Sequence, residues 1–387
     1  MLAGLVSDAY DGIGAAAQPR SIRHRWPTLT MTLTTPLCRH LGIRHPIIQA
    51  PMAGGWTTPE LVAAVTKAGG MGSIAAGRMT VSGLVAAITR VQSETSGTFS
   101  VNFLVAPPEP PPHDVEMVQA VLDEVRSELG LPPGPRELRL GPSPVEEQLE
   151  LALDAGVRVI SFAMGCPEPM IRKVGDAGAT AIVMVTSAHE AVEAERAGAH
   201  VVVAQGIEAG GHRGTFGVSR DEELPRIGTL ALVPQVVDAV SIPVIAAGGI
   251  MDGRGVAAAL CLGAGAAQLG TRFLLTAESG AYAEYRSWIA SRDPASTCVT
   301  RWMTGRPARG FRSRLVEKLE ASGLEPLPWP YQAAAAEDIY RASVERGLGD
   351  TTVLLAGQGP RTDVREMGAA ELVRALVEGA AEALQSP

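Results

Sequence analysis

Residues 200–214 read HVVVAQGIEAGGHRG, a short apolar run that breaks into polar and glycine-rich sequence. The apolar half is typical of a buried β-strand, and the second half holds too many glycines to continue that strand. Where such a strand ends, glycine lets a ligand approach the backbone N–H groups closely. Because Gln205 and His212 stand at this point, the stretch predicts a ligand site at the end of a strand.

Two later stretches have the same form. IPVIAAGGI ends in Gly248 and Gly249, and AAQLGTRFLL carries Gly270 and Thr271. Glycines at the ends of two successive strands, each adjoining a helix, are typical of the phosphate site after the last two strands of a (β/α)8 barrel. Main-chain N–H groups and a helix N-terminus bind a phosphate dianion there. The alternative interpretation is that these glycines only make tight strand-to-helix turns.

From residue 46 onward, short apolar runs alternate with helical stretches. This alternation, with nearly continuous apolar strands, indicates a parallel sheet buried on both faces. Eight repeats indicate closure, so the sequence predicts an α/β fold of the (β/α)8 or TIM-barrel type; a doubly wound open sheet is the alternative. The predicted strands cover residues 46–52, 70–76, 99–106, 157–165, 180–187, 200–206, 242–249 and 266–273.

The chain is predicted to divide into four segments. Residues 31–277 form the barrel, and residues 278–361, which look helical and polar, form a helical insertion or lid over its mouth. An oligomer interface is the alternative for that insertion. Residues 362–387 are expected to form a C-terminal helix that returns to the barrel. Residues 1–30 show no hydrophobic periodicity and no apolar centre of a signal peptide, so they are interpreted as a disordered extension.

The composition narrows the function classes. Hydrophobic residues make up 46% and aromatic residues only 4%, with 43 glycines, which suits close packing of helices on a parallel sheet. The net charge of −8 gives no indication of a nucleic-acid partner. The four cysteines are widely separated without zinc-site spacing, which favours free thiols in a reducing cytoplasm. No apolar run is long enough to predict a membrane span.

The motifs, taken in this order, resemble the nitronate monooxygenases, formerly called 2-nitropropane dioxygenases, which are FMN-dependent (β/α)8-barrel enzymes. The resemblance covers about residues 36–275 and is carried by PIIQAPMAGG, VNFL, SFAMGCP, AQGIEAGGHRG, VIAAGGI and AQLGTRFL. It implies oxidation of an alkyl nitronate by O2 to a carbonyl compound and nitrite, and a homodimer is possible. Flavin-dependent enoyl-acyl-carrier-protein reductases share most of these motifs. An NAD(P)H-dependent enoyl reductase and a non-catalytic flavin-binding protein are therefore the alternatives.

The resemblance also implies a set of FMN contacts. Ala50, Pro51 and Met52 would lie along the flavin ring, while Asn102 and Gln205 would hydrogen-bond the isoalloxazine ring or the ribityl chain. The alternatives are that Asn102 caps its strand and that Met52 only fills the core. The positions implied for the phosphate side are Gly210, Gly211, Gly248, Gly249, Gln268, Gly270 and Thr271.

The chain departs from the family pattern at one position. In the segment SFAMG, Ala163 stands where the resemblance implies a histidine that removes the α-proton of a neutral nitroalkane. Alanine cannot accept a proton, so we expect neutral nitroalkanes to react about 10²–10⁴-fold more slowly. Alkyl nitronates are already deprotonated and remain substrates in this interpretation.

His212 is the catalytic candidate that remains. The resemblance places it at the active-site histidine of the flavin-dependent enoyl reductases, where it would bind an anionic substrate or relay a proton. The alternative is that His212 only orients the backbone. Arg213 would either attract an anion or, as an exposed arginine, stay solvated, and Cys166 is interpreted as an inert thiol.

Overall fold

The computed structural model describes residues 33–107, 109–110, 112–217, 224–359 and 366–385. The predicted extension over residues 1–30 lies outside the described residues.

Eight parallel strands form one sheet, in the spatial order β1-β9-β8-β6-β5-β4-β3-β2. The sheet closes between its two edges, where the N–H of Met71 donates to Ile47 O and the N–H of Gln49 donates to Met71 O, both at 2.9 Å. The predicted (β/α)8 barrel is thus confirmed. The strands are β1 (Ile47–Gln49), β2 (Ser73–Ala75), β3 (Ser100–Leu104), β4 (Val159–Ala163), β5 (Thr180–Val185), β6 (Val201–Gln205), the separate β7 (Gly211–His212), β8 (Val244–Ala247) and β9 (Ala266–Leu269).

Helices follow the strands and cover the outside of the barrel. A typical start is that of α2, where Thr58 Oγ1 accepts the N–H of Leu61 at 3.0 Å and Pro59 takes the first helical position. The helices are α1 (Pro36–Leu41), α2 (Pro59–Lys67), α3 (Val81–Glu94), α4 (Val115–Glu128), α5 (Val145–Asp154), α6 (Glu168–Asp176), α7 (Ala188–Arg196), α8 (Thr229–Ala239), α9 (Gly253–Cys261), α10 (Ala283–Ser291), α11 (Arg314–Ala321), α12 (Tyr331–Ala335), α13 (Glu337–Glu345) and α14 (Ala369–Gln385).

The strands bury both faces, and side chains alternate between them. One face packs against the helices. The other fills the barrel with apolar residues such as Ile48, Val203 and Ile245. By the same alternation, Gln205 follows Val203 on the inner face, at the carboxyl end of the strands. Apolar side chains therefore fill the interior of the barrel, and the polar Gln205 lies at its mouth, where the carboxyl ends of the strands meet.

The segment after the barrel contains strands that the sequence did not predict. Besides helices α10–α13 it forms an antiparallel hairpin of β10 (Thr297–Thr300) and β11 (Ala308–Phe311). β11 also pairs with β7, with Ala308 opposite His212 and Arg309 opposite Gly211. The insertion is thus joined by main-chain pairing to the loop that the sequence singled out.

Helix α14 lies against the barrel. It packs on α9 and α2, and a Cβ placed on Gly253 of α9 would lie 2.3 Å from the carbonyl carbon of Gly379 in α14. Only glycine allows the two helix backbones to approach this closely.

Candidate active site

The ends of the barrel strands bring several predicted residues together. A Cβ placed on Gly270, after β9, would lie 3.5 Å from Ala50 Cβ and 3.8 Å from Met52 Sδ, after β1. Pro51 lies between these two residues in the chain. Strand β9 also pairs with β8, where Gln268 is opposite Ala247. Strand β8 in turn pairs with β6, where Ala247 is opposite Gln205. The register therefore places β1, β6, β8 and β9 around one corner of the mouth.

That corner presents unused main-chain donors. Within the described part of the chain, no acceptor binds the N–H groups of Gly248, Gly249, Gly270 and Thr271. Gly248 and Gly249 have φ angles of +117° and +71°, which side-chain-bearing residues rarely adopt. Gly270 and Thr271 lead into a 3₁₀ turn over Phe273–Leu275. We call these four N–H groups the phosphate corner, because clustered amides at a helical N-terminus bind anions.

Carboxylates already occupy the two other helix starts nearby. At α8, Glu208 accepts the N–H of Thr229 at 2.9 Å and its hydroxyl at 2.9 Å. At α9, Asp252 Oδ1 accepts the N–H of Gly255 at 3.2 Å. A carboxylate that caps a helix repels a second anion. The prediction of a phosphate site therefore rests on the 3₁₀ turn after β9.

Gly210 and Gly211 have structural reasons to be glycine. A Cβ on Gly210 would lie 2.6 Å from Ala356 C, so the residue allows two backbones to touch. The neighbouring Gly357 N–H donates to Thr271 Oγ1 at 3.0 Å. Gly211 has a φ of +83° and is level with Arg309 in the small sheet. Their contact with a phosphate stays a prediction.

The carboxamide of Gln205 holds the loop that carries His212. Its Nε2 donates to His212 O at 2.9 Å and its Oε1 accepts the N–H of Gly214 at 2.9 Å. Gln205 thus positions this loop across the barrel mouth, and the flavin contact implied by the resemblance stays a prediction. Asn102 donates from Nδ2 to Ser161 Oγ at 3.0 Å. Gln268 makes no side-chain hydrogen bond to any described residue, so its carboxamide is available to a ligand.

His212 is held from the insertion. Its Nε2 lies 2.8 Å from Thr304 Oγ1, and that hydroxyl donates to Arg306 O at 3.2 Å. In the hydrogen-bond network in which the Thr304 hydroxyl donates to Arg306 O, Nε2 is assigned the imidazole proton and Nδ1 is left as an acceptor. The ring also meets Trp329 edge-on, with centroids 5.3 Å apart.

The environment of His212 keeps the ring neutral. Burial, and then the positive charge of Arg306, lower the pKa of His212 to about 4. At neutral pH the ring therefore carries no positive charge with which to attract an anion. Of the two catalytic roles considered for His212, this favours proton transfer through Nδ1 over charge-based binding.

The interpretation of Arg213 as an exposed arginine is wrong. The residue is 1% exposed, and it donates to Gly206 O at 2.7 Å and to Gln205 O at 3.0 Å. The loop folds back on the strand that precedes it, so the guanidinium binds the last carbonyls of β6. Arg213 holds the end of the strand in place.

Ala163 ends β4, level with Leu104 of β3. It is buried, and its carbonyl accepts the N–H of Val105 at 3.0 Å. A methyl group thus stands where the resemblance implies a base. Cys166 follows shortly after, and burial, with the charges of Glu193 and Glu168, raises the pKa of its thiol to about 11. This agrees with an inert thiol at neutral pH.

Glu190 is a buried site-organising residue that the sequence analysis missed. Its carboxylate accepts from the hydroxyl of Thr186 at 2.9 Å and from the N–H of Phe216 at 3.0 Å, and it also binds the hydroxyl of Thr215. It therefore ties the loop after β5 to the loop after β6. The sequence offered one signal, a glutamate in the first turn of a helix that follows a predicted strand.

The comparisons with known proteins identify the family of the chain. The family model for nitronate monooxygenase matches residues 35–379, and the chain belongs to that family of oxidoreductases. It is 42% identical over 353 residues to a nitronate monooxygenase from Pseudomonas aeruginosa, covering 89% of this chain and 99% of the relative. The membership predicted from the motifs is confirmed.

Solved structures show the same fold. A nitroalkane oxidase from Streptomyces ansochromogenes is similar with a TM-score of 0.80 and 39% identity, over 88% of this chain and 97% of that chain. FabK from Thermotoga maritima is similar with a TM-score of 0.72 and 30% identity, over 92% of this chain and 98% of the other. None of the helices in the described ranges has the length and apolar character needed to cross a membrane.

Proposed function

We propose that this protein binds FMN and oxidises alkyl nitronates with O2 to a carbonyl compound and nitrite. Bound FMN supplies the redox chemistry, because it accepts electrons from the substrate and returns them to O2. The residues present fit this cofactor. The phosphate corner offers four unused N–H groups, Gln268 offers a free carboxamide, and Ala50 and Met52 offer an apolar surface for a ring.

The observation that carries the choice of substrate is the methyl group of Ala163 at the end of β4. A neutral nitroalkane must lose its α-proton before it can donate electrons, and no base stands at this position. His212 is neutral and presents Nδ1, but a group with a pKa of about 4 is a weak base at neutral pH. A nitronate needs no such base, so the site suits the anion.

Anaerobic mixing with excess ethylnitronate or nitroethane tests the proposal, with flavin bleaching as the signal. We expect ethylnitronate to bleach the flavin and nitroethane to do so at least about 10²-fold more slowly. Ala163→His should raise the rate with nitroethane far more than the rate with ethylnitronate. Ala163→Asn is the matched control, since it adds a polar side chain of similar size without a base. Equal reduction of the wild type by both substrates contradicts the proposal.

A second candidate is an NAD(P)H-dependent enoyl reductase, favoured by the similarity to FabK over nearly the whole chain. Rapid anaerobic bleaching by NADH or NADPH, with no bleaching by ethylnitronate, would select it. Bleaching by neither would select a flavin-binding protein without turnover.

The remaining expectations are part of the same proposal. We propose that residues 278–361 act as a lid over the barrel mouth, because β11 pairs with β7 and Thr304 binds His212. We also propose a cytoplasmic enzyme acting on a small molecule. Size-exclusion chromatography with light scattering tests the possible homodimer.

A further inference from the structure

Arg306 is a buried cation for which the proposed chemistry above gives no role. It lies in the insertion, just before β11, and is 6% exposed. Its Nη2 binds the carbonyls of Thr215 and Phe216, the latter at 3.2 Å. Its Nε has no hydrogen-bond acceptor among the residues that the structure describes. This buried Nε–H is therefore a donor that the described residues leave unused.

The charge of Arg306 is not neutralised by a direct ion pair in the described part of the chain. Glu109 and Glu190 lie near enough to favour its charged form, while Arg301 opposes it. Glu109 instead accepts the N–H of Trp329 at 3.3 Å, and the oxygens of Glu190 bind the loops after β5 and β6. Burial lowers the pKa of Arg306 to about 10, so the group stays charged at neutral pH. Two main-chain carbonyls and two carboxylates without direct contact therefore compensate this buried cation only in part.

Arg306 stands beside His212. Its carbonyl accepts the hydroxyl of Thr304, which binds the His212 ring, and its charge lowers the pKa of that ring. The main chain of Arg306 is therefore linked through Thr304 to the His212 ring, and the Arg306 guanidinium lies near enough to act on that ring electrostatically.

We propose that Arg306 forms an anion-binding subsite at the barrel mouth, where its Nε–H donates a hydrogen bond to an oxygen of a small planar oxyanion. The Nε–H can make one charge-assisted hydrogen bond to an oxygen of such a group, because Nη2 already binds two main-chain carbonyls. The inference rests on the proposed function, in which the oxyanion is the nitronate group of the substrate. Nitrite and formate have the same chemistry and bind at the same place, in competition with the nitronate. The subsite selects the anion independently of Ala163, since a neutral nitro group gains less from a buried cation.

Calorimetric titration of the flavin-loaded protein with sodium nitrite and sodium formate tests the subsite. We expect Arg306→Gln to weaken the affinity for both anions about 10–100-fold, the usual value of a charge-assisted hydrogen bond. The KM for ethylnitronate should rise by a similar factor while kcat changes little. Arg309→Gln is the matched control, because Arg309 is equally buried and donates to Ile207 O at 2.9 Å and to Thr297 Oγ1 at 3.0 Å. Its loss should leave the anion affinities unchanged.

Arg306→Lys keeps the charge but lacks the Nε–H, and it serves if Arg306→Gln does not fold. We expect Arg306→Lys to bind nitrite at least about tenfold more weakly than the wild type, because the lysine lacks the Nε–H of the guanidinium. Unchanged nitrite and formate affinities in a folded Arg306 variant overturn the inference, as does no anion binding by the wild type. Should ethylnitronate not be oxidised at all, the proposed function fails, but the two anion titrations still decide the subsite.

Discussion

The neutral state of His212 has a measurable consequence for stability. In the unfolded chain the imidazole has its ordinary pKa of 6.5, and in the folded protein burial and then Arg306 lower it to about 4. Between these values the unfolded chain binds a proton that the folded protein does not. His212 therefore costs no stability above pH 6.5, and stability is lost progressively as the pH falls from 6.5 towards 4. At pH 4.5 the loss is about 2.5 kcal/mol, at 1.36 kcal/mol for each pH unit.

The assay compares the free energies of unfolding in urea of the wild type and His212→Gln, at pH 7.5 and at pH 4.5. Glutamine cannot be protonated and keeps an N–H donor for Thr304. Other titrating groups contribute to both proteins and cancel in the difference. Between the two pH values, His212→Gln should gain about 2.5 kcal/mol relative to the wild type. A relative change below about 0.5 kcal/mol would refute an imidazole that stays neutral in the folded protein.

Two further predictions concern the phosphate corner and the loops beside it. Gly270→Ala should leave the melting temperature of the flavin-free protein unchanged, since its Cβ would make only ordinary contacts, yet it should weaken FMN binding at least about tenfold in a fluorescence titration. Gly141→Ala, with open space around its Cβ, is the control, and equal FMN affinities in both variants would contradict the assignment. Glu190→Gln should lower the free energy of unfolding by about 2 kcal/mol. Both carboxylate oxygens of Glu190 accept hydrogen bonds, and the N–H₂ group of glutamine would place a donor against one of these main-chain or hydroxyl donors. An unchanged urea midpoint would show that the Glu190 charge is not needed to hold the loops.

The barrel could be predicted because its signals are local. Each strand is a short apolar run between helical stretches, and the structure places a strand within each of the eight predicted ranges. Gly248 and Gly249 were equally visible, because a Gly-Gly pair after an apolar run marks a backbone that side chains would disfavour. The insertion hairpin was not visible in this way. Its strands read TCVT and ARGF, with little apolar alternation, and β11 is specified by pairing with a distant β7.

The partners of His212 could not be found from sequence, for a similar reason. Thr304 is 92 residues away, and nothing in the pattern around residue 304 points to a histidine in the barrel. Arg213 was misjudged because an arginine beside a glycine-rich loop is usually solvated, whereas here the loop returns to its own strand. Gln205 was recognised as important, but its main-chain partners depend on a loop path that sequence does not specify.

A crystal structure of the protein with FMN decides whether the phosphate corner holds the phosphate of the cofactor. We expect the phosphate oxygens to lie within about 3 Å of the N–H groups of Gly249 and Thr271, at the start of the 3₁₀ turn after β9. A phosphate bound elsewhere, or a corner that stays free of FMN at saturating concentration, would contradict it.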